Sequence, residues 1–353
     1  MGNKLAGVEA ARGVAALLVV LVHATSMLAS EKYFGTQALG GLFKFGHAGV
    51  DFFFVLSGFI IYFIHHTELG QTSFLGAYWY KRFIRIFPIY WIVLFFYGLI
   101  LLFSPTKDMF ERIPEVILSA ILLIPNIHGP ILGVAWTLSH EFLFYAIFSS
   151  LFFSKWLGFI VLMTWFVLLL FNIVTNFFDG FLWGTVIFRI FNLGFFFGMA
   201  VAYLVLNYTV KLPKLLLWLG GILFFGAGVF ESWGPGVPVE WPPLHLAYAL
   251  GAACALYGLV GLEKAGRLKV PGVLVELGKA SYSIYLVHVI FIMLLQQVLI
   301  RLKPWGLVPD ALIFWAVVFT VTIAGTFFSK VVEQPLLSKL RPKRRHEYAS
   351  TPR

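Results

Sequence analysis

The chain has 353 residues, of which 60% are hydrophobic and only 12% charged, and its formal net charge is +10. A soluble domain carries about 25% charged residues and could not bury this much apolar surface in one core, so the composition excludes an ordinary water-soluble protein. The positive residues stand in short loops between apolar stretches, which favours topology signals and contact with anionic lipids over nucleic-acid binding. The single cysteine, Cys254, excludes a disulfide framework and a thiolate metal site, and we expect no bound metal.

Ten apolar stretches of roughly 20 residues predict membrane-spanning helices. They cover residues 6–29, 44–65, 83–104, 134–154, 156–175, 184–206, 213–231, 244–262, 278–300 and 309–331. A weaker stretch, 114–125, is bounded by prolines and predicts a re-entrant or interfacial segment, with an eleventh crossing as the alternative. The predicted fold is all-α: a polytopic membrane protein with about ten transmembrane helices plus this short segment.

Lysines and arginines indicate how the spans are oriented. The first span lacks the small-residue cleavage site of a signal peptide, so we interpret it as a membrane anchor. Ten spans put most basic residues on one side, which the positive-inside rule makes cytoplasmic together with both chain termini. These residues are Lys4, Lys81, Arg82, Arg85, Lys155, Lys211, Lys214, Lys264, Arg267, Lys269 and 341–345, with Arg301 and Lys303 as exceptions. We expect one membrane domain over 1–336 and a basic cytoplasmic tail over 337–353.

The first span carries an ionisable stripe. Arg12 and His23 are eleven residues apart, which is about three helical turns or roughly 16 Å, so both point nearly the same way. Glu9 falls on the same stripe one turn before Arg12. Ionisable groups inside an apolar helix are costly unless they face a partner or water, so this stripe predicts a functional site.

Arg82 and Arg85 stand one turn apart at the cytoplasmic start of the third span, on one helical face. The guanidinium fork binds phosphate with two hydrogen bonds and is always charged, so the pair predicts an anion site. An anchor on lipid phosphates is the alternative.

Further polar residues enter the membrane from the outer side. Asp51 stands near the outer interface of the second span, where Ser57 and Gly58 favour close packing. Trp136, His140 and Glu141 open the fourth span, where Trp136 is typical of an aromatic belt and Glu141 needs a partner. No second histidine follows His140 at a zinc-protease spacing.

The ninth span brings three more candidates to one face. Ser281, Tyr285 and His288 recur at helical spacing, and a polar stripe at mid-membrane faces the bundle interior. Polar packing between helices is the alternative. The arginines thus gather toward the cytoplasm, while the histidines and acids gather from mid-membrane outward. This division suits a reaction across the bilayer, in which arginines hold a phosphorylated donor and His23 accepts the proton of an external hydroxyl.

Six stretches follow one another between residues 9 and 336: EAARGVAALLVVLVH, GVDFFFVLSGF, YKRFIRIFPIYW, AWTLSHEFLFY, KASYSIYLVH and VVEQPL. On these stretches the chain resembles the integral-membrane acyltransferase type 3 family, whose members O-acylate bacterial exopolysaccharide, lipopolysaccharide O-antigen and Nod factors. The most specific part is the spacing of Arg12 and His23 combined with Arg82-Phe-Ile-Arg85.

The resemblance implies an acyl-CoA donor that enters from the cytoplasm, with Arg12, Arg82 and Arg85 near its phosphates and His23 essential to transfer. It also implies functional sensitivity at Asp51, Trp136 and Glu141. Together with the residue pattern it implies no permanently bound cofactor, an acetyl group as the commonest cargo, and a location in the bacterial inner membrane. The implied acceptor is an exopolysaccharide or a lipid-linked glycan.

Two mechanisms and two rival functions stay open. A carboxylate such as Glu141 or Asp51 orients His23 as a base for direct attack, or His23 itself carries the acyl group. Trp136, His140, Ser281, Tyr285 and His288 would support the acceptor. The rivals are a proton-coupled transporter or flippase, and an acyltransferase with a small-molecule acceptor.

Overall fold

The computed structural model describes residues 5–30, 35–102, 113–302 and 308–341. Within these ranges the chain is helical and has no strand. The α-helices are α1 (Ala6–Ala29), α2 (Gly49–His65), α3 (Leu75–Leu102), α4 (Pro114–Leu122), α5 (Trp136–Phe153), α6 (Lys155–Thr175), α7 (Gly184–Ile187), α8 (Leu193–Asn207), α9 (Pro213–Trp233), α10 (Pro242–Lys264), α11 (Gly272–Leu302), α12 (Asp310–Phe328) and α13 (Gln334–Leu340). A 3₁₀ segment, Ala38–Ala48, leads into α2, and a π-helical turn, Ser329–Glu333, joins α12 to α13.

Nine stretches of the described chain are long and apolar enough to cross a membrane, which confirms the all-α polytopic prediction. The predicted span 134–154 corresponds to α5, which is not among the nine because His140 and Glu141 in its first turns lower its mean hydropathy. Its 18 residues would still extend about 27 Å. Lys4, Lys303 and residues 342–353 lie outside the described ranges, so the sidedness of the termini and the tail stays a prediction.

Two predicted boundaries were wrong. Helix α3 begins at Leu75 rather than 83, because Lys81 and Arg82 interrupt the hydropathy but not the helix. The predicted span 184–206 is broken, since Arg189 adopts an extended backbone between α7 and the turn before α8. The Asn192 side chain donates to two carbonyls exposed by this break, Val186 O at 2.8 Å and Ile187 O at 3.0 Å.

The short helix after α3, α4, is too short to span a membrane. Helix α4 has nine residues and is therefore about 14 Å long, well short of the roughly 30 Å hydrocarbon core. A left-handed Leu123 ends it. The described helix cannot cross the membrane alone, which agrees with a re-entrant or interfacial segment.

Glycines let the central helices approach closely, as small residues do in membrane bundles. Gly58 of α2 lies against the backbone of Phe195 in α8, and Gly198 of α8 lies against the backbone of Val55. Gly13 of α1 meets α11 in the same way. These contacts confirm the packing interpretation of Gly58: they hold α2 against α8, and α1 against α11.

Gly58→Ala is expected to destabilise the bundle, because its Cβ would overlap the Phe195 carbonyl. Overpacking of this kind costs about 1–3 kcal/mol, and thermal unfolding in detergent measures it. Gly226→Ala in α9 is the matched control, since nothing lies within 4 Å of the Cβ it would add. Equal unfolding temperatures for the two variants would contradict the packing argument.

Candidate active site

A cavity of about 670 Å³ lies among α1, α2, α3, α5 and α11. Six of the predicted site residues line it, together with groups that the sequence did not single out. The predicted ones are Arg12, Arg82, Arg85, Glu141, Ser281 and Tyr285, and the others include Ser57, Lys81, Thr137, Tyr145, Tyr282 and Arg341. We call the end of the cavity at Lys81, Arg82 and Arg341 the basic end. The Tyr80 hydroxyl donates to Leu340 O at 2.7 Å and so joins the start of α3 to the end of α13.

Arg82 is the guanidinium best placed to receive an anion. Its Cζ lies 5.5 Å from the Tyr145 ring centroid and 5.9 Å from that of Tyr78. Its Nε is buried without a hydrogen-bond partner, and no carboxylate pairs with it among the described residues. Arg12, in contrast, has Glu9 Oε2 at 3.3 Å from its Nη1. A buried donor without a partner is costly, so Arg82 is arranged for a ligand that supplies an acceptor.

Arg85 lines the same cavity, but its charge is already balanced. Its Nη1 donates to Glu333 Oε1 at 2.9 Å, and its Cζ lies 4.8 Å from the Tyr282 ring centroid. The second carboxylate oxygen of Glu333 accepts from Ser283 at 2.7 Å and from Ser329 at 2.9 Å. The π-helical turn that ends at Glu333 therefore fixes Arg85 in place, and π-turns are frequent at functional sites.

Glu333→Ala is expected to lower the amount of folded protein. It would remove one partner of a pair in which Glu333 is 1% exposed, and breaking a buried pair this way costs about 3–5 kcal/mol. Unfolding monitored by fluorescence size-exclusion after a temperature series measures the effect. Glu276→Gln, which breaks an exposed pair with Lys279, should change little, and a similar loss in both variants would contradict the assignment.

Glu141 finds its partners inside the cavity. Ser57 Oγ donates to Glu141 Oε1 at 3.1 Å, and the Tyr145 hydroxyl donates to the same oxygen. The interpretation of Ser57 as a packing residue without polar function was wrong, because the sequence could not show that α2 faces α5 here. Glu141 thus lies in the cavity wall rather than next to His23.

His23 pairs with another histidine. Its Nδ1 lies 2.8 Å from Val19 O, and a carbonyl only accepts, so Nδ1 carries the proton and Nε2 of the neutral ring keeps a lone pair. In His288, Nδ1 also carries the proton, because it lies 2.6 Å from Tyr285 O. Its Nε2 then accepts from His23 Nδ1 at 3.3 Å, with ring centroids 4.7 Å apart. His23 Nε2 has no partner among the described residues and is free to act as a base or nucleophile.

Asp51 was expected as a carboxylate partner of His23, but it pairs with a different histidine. Asp51 is buried and has both carboxylate oxygens 3.1 Å from His245 Nδ1. His245 Nε2 lies 2.9 Å from Val239 O, so both ring nitrogens face acceptors. Asp51 therefore belongs to a separate cluster, which the sequence missed because His245 lies 194 positions away.

Tyr285 lies between the cavity and the histidine pair. Its hydroxyl is 2.7 Å from Thr137 Oγ1 and donates to Val134 O at 2.9 Å, while its carbonyl accepts from His288. Ser281, one turn earlier, lines the cavity with a buried hydroxyl that has no hydrogen-bond partner in the described part of the chain. The cavity thus ends one side chain away from His288 and His23.

Trp136 and His140 line a second cavity, of about 290 Å³. His140 Nδ1 lies 2.9 Å from Asn192 Oδ1, and the His140 and Trp136 ring centroids are 5.5 Å apart. Both residues lie on the side of α5 that faces the break between α7 and α8. Neither residue lines the first cavity, although the His140 ring centroid lies 5.8 Å from that of Phe54, which does.

A helical membrane bundle that encloses an anion-ready cavity next to a partly buried histidine has the architecture of an integral-membrane group-transfer enzyme. Residues 5–330 match the family described as the acyltransferase domain, and the chain belongs to this family. The protein is therefore a membrane acyltransferase.

Three curated proteins are similar to this chain in sequence. The exopolysaccharide production protein ExoZ of Rhizobium meliloti is 30% identical over 329 residues, which cover 88% of this chain and 96% of that protein. Acyltransferase MdmB of Streptomyces mycarofaciens is 28% identical over 41% of this chain and 38% of its own length. Protein 2 in the picA locus of Rhizobium radiobacter is 28% identical over 39% of this chain and 77% of its own. No solved structure matches the chain.

Proposed function

We propose that the protein transfers an acyl group, in the simplest case acetyl, from acyl-CoA to a hydroxyl of an exopolysaccharide or lipid-linked glycan in the bacterial inner membrane. The observation that supports this most strongly is the cavity that runs from the unpaired Arg82 to the Tyr285 wall beside His288 and His23. Acyl-CoA matches the two ends of this cavity, since its phosphates and its thioester stand at opposite ends of a long arm.

The donor enters at the basic end, which faces the cytoplasm in the topology that the positive-inside rule predicts. Arg82 and Arg12 hold the phosphates by charge-assisted hydrogen bonds, while Lys81 and Arg341 line the entrance. Arg85 contributes mainly as a fixed part of the wall, since Glu333 balances its charge. The arm then extends over about three helical turns, the roughly 16 Å between Arg12 and His23.

The chemistry needs one base and conserves every atom. His23 Nε2 takes the proton from the acceptor hydroxyl as its oxygen forms the ester bond to the acyl carbon. The thioester C–S bond breaks, and the proton finally reaches the CoA sulfur. In the two-step variant, Nε2 first bonds to the acyl carbon while the C–S bond breaks and CoA leaves as the thiolate. The acceptor oxygen then displaces Nε2 from the acyl carbon, and the hydroxyl proton ends on the CoA sulfur. His288 orients His23 in both cases, and Glu141 with Ser57 and Tyr145 shapes the path of the arm.

A glycan acceptor is favoured by the relative that aligns with 88% of this chain, which is an exopolysaccharide production protein. The test is purified protein in nanodiscs with acetyl-CoA, following free CoA with and without exopolysaccharide fragments. Acceptor-dependent release of CoA supports the proposal. Solute movement driven by a proton gradient, with no CoA release, would favour a transporter instead, and release only with small-molecule acceptors would change the acceptor class.

A further inference from the structure

The second cavity has the composition of a sugar site. Six residues define its character: Asn126, Trp136, His140, Arg189, Phe191 and Glu240. The Trp136 and Phe191 rings form a bent aromatic wall, with centroids 5.1 Å apart and an angle of 54° between their planes. The cavity lining also contains charged groups: Arg189 Nη1 donates a hydrogen bond to Glu240 Oε2 at 2.7 Å. At about 290 Å³, the cavity is near the lower limit of ligand pockets, roughly 300 Å³, which suits one sugar ring.

The charges in this cavity select a neutral polyhydroxylated ligand. Arg189 alone would attract phosphate, but Glu240 neutralises it at hydrogen-bonding distance. Together they offer guanidinium donors and carboxylate acceptors side by side, which pair with neighbouring hydroxyls that both donate and accept. An acyl chain would displace water from this ion pair without offering it any hydrogen bond, and that is costly. The aromatic rings meanwhile offer an apolar surface to the C–H face of a sugar.

The cavity lies at the end of α5 opposite the basic end. Helix α5 begins at Trp136, whereas near its other end Leu151 O accepts from Gly70 N, in the loop that leads to α3 and the basic end. Thr137, the next residue after Trp136, lines the first cavity and bonds Tyr285. The first two turns of α5 therefore line both cavities on different faces of the helix, with Thr137 toward the first cavity and Trp136 toward the second. A ligand bound there is close to the reaction but does not react.

We propose that the second cavity is an acceptor subsite that binds a sugar residue flanking the one that is acylated. This inference rests on the proposed function, and it names the part of the acceptor that the enzyme recognises. A sugar bound at a remote subsite increases the affinity for longer acceptors, although that sugar itself does not react. Acceptors long enough to fill the cavity therefore have lower KM values than a single sugar.

The test compares fragments of the source bacterium's own exopolysaccharide, from monosaccharide to tetrasaccharide, as acceptors at saturating acetyl-CoA. For the wild type we expect KM to fall as the fragments lengthen. Arg189→Gln and Glu240→Gln should remove this advantage by raising the tetrasaccharide KM about tenfold, the effect of losing one hydrogen bond to a charged group. Both residues are part of a solvent-accessible pair, with Glu240 61% exposed, so folding is preserved.

Arg301→Gln is the matched control, because Arg301 is an exposed arginine at the end of α11 and lines neither cavity. It should keep the wild-type dependence on length. If the wild type acylates all fragments with one KM, or if Arg189→Gln keeps the length dependence, the subsite is wrong while the acyltransferase function stands. If the wild type releases no CoA with any fragment, the proposed function fails, and the subsite fails with it.

Discussion

His23→Asn is expected to abolish acyl transfer while the protein accumulates in the membrane at the wild-type level. The asparagine amide nitrogen replaces Nδ1 and can still donate to Val19 O, the contact that spans 2.8 Å in the wild type. Nothing replaces Nε2, so the proposed base or nucleophile is lost. Removing a general base typically costs about 10²–10⁴-fold in rate, and release of free CoA in nanodiscs measures it.

The control for this variant is His66→Ala, at the end of α2 away from both cavities, where the ring bonds only Phe63 O among the described residues. It should retain activity. Transfer by His23→Asn at more than about a tenth of the wild-type rate would contradict a direct role for His23, whatever its level in the membrane.

Arg82→Ala is expected to raise the KM for acyl-CoA strongly and to change kcat less. The variant removes a guanidinium that has no acidic partner among the described residues, and a hydrogen bond to a charged group contributes about 1.5–3 kcal/mol. The KM should therefore rise by roughly 10–150-fold. Arg82→Lys should recover part of the affinity, since the charge remains but the planar fork is lost.

The matched control is Arg267→Ala, an exposed arginine just after α10 that does not line either cavity. It removes the same charge and should leave the KM for acyl-CoA unchanged. If Arg82→Ala and Arg267→Ala behave alike, the arginine contributes only to topology or lipid contact. A truncated donor without the nucleotide phosphates should be insensitive to Arg82→Ala.

Much of this arrangement could be predicted from the sequence because hydropathy records depth in the membrane. The first span was predicted with the bounds of α1, and the stripe of Arg12 and His23 followed from helical spacing alone. The cavity brings together Arg12, Arg82 and Arg85, the three arginines that the sequence placed toward the cytoplasm, whereas their role in binding stays a prediction. Charges near the ends of helices were harder to interpret, which is why the start of α3 was placed too late.

Pairing between helices could not be predicted, because spacing gives the face of a residue but not the helix opposite. The carboxylates were expected next to His23, yet Asp51 pairs with His245 and Glu141 pairs with Ser57 and Tyr145. The closing motif VVEQPL marked Glu333 as part of the resemblance without revealing its contact with Arg85. Tyr145 lies one helical turn after Glu141, but the other partners come from distant parts of the chain and meet only in the folded bundle.

The most direct test of the central claim is transfer across a sealed bilayer. Proteoliposomes with uniformly oriented protein would receive radiolabelled acetyl-CoA on one side and exopolysaccharide fragments on the other, and label on the fragments would be counted. The proposal predicts labelling only when acetyl-CoA is on the side of the basic end, and none with His23→Asn. Equal labelling from either side, or labelling only when donor and acceptor share one side, would contradict it.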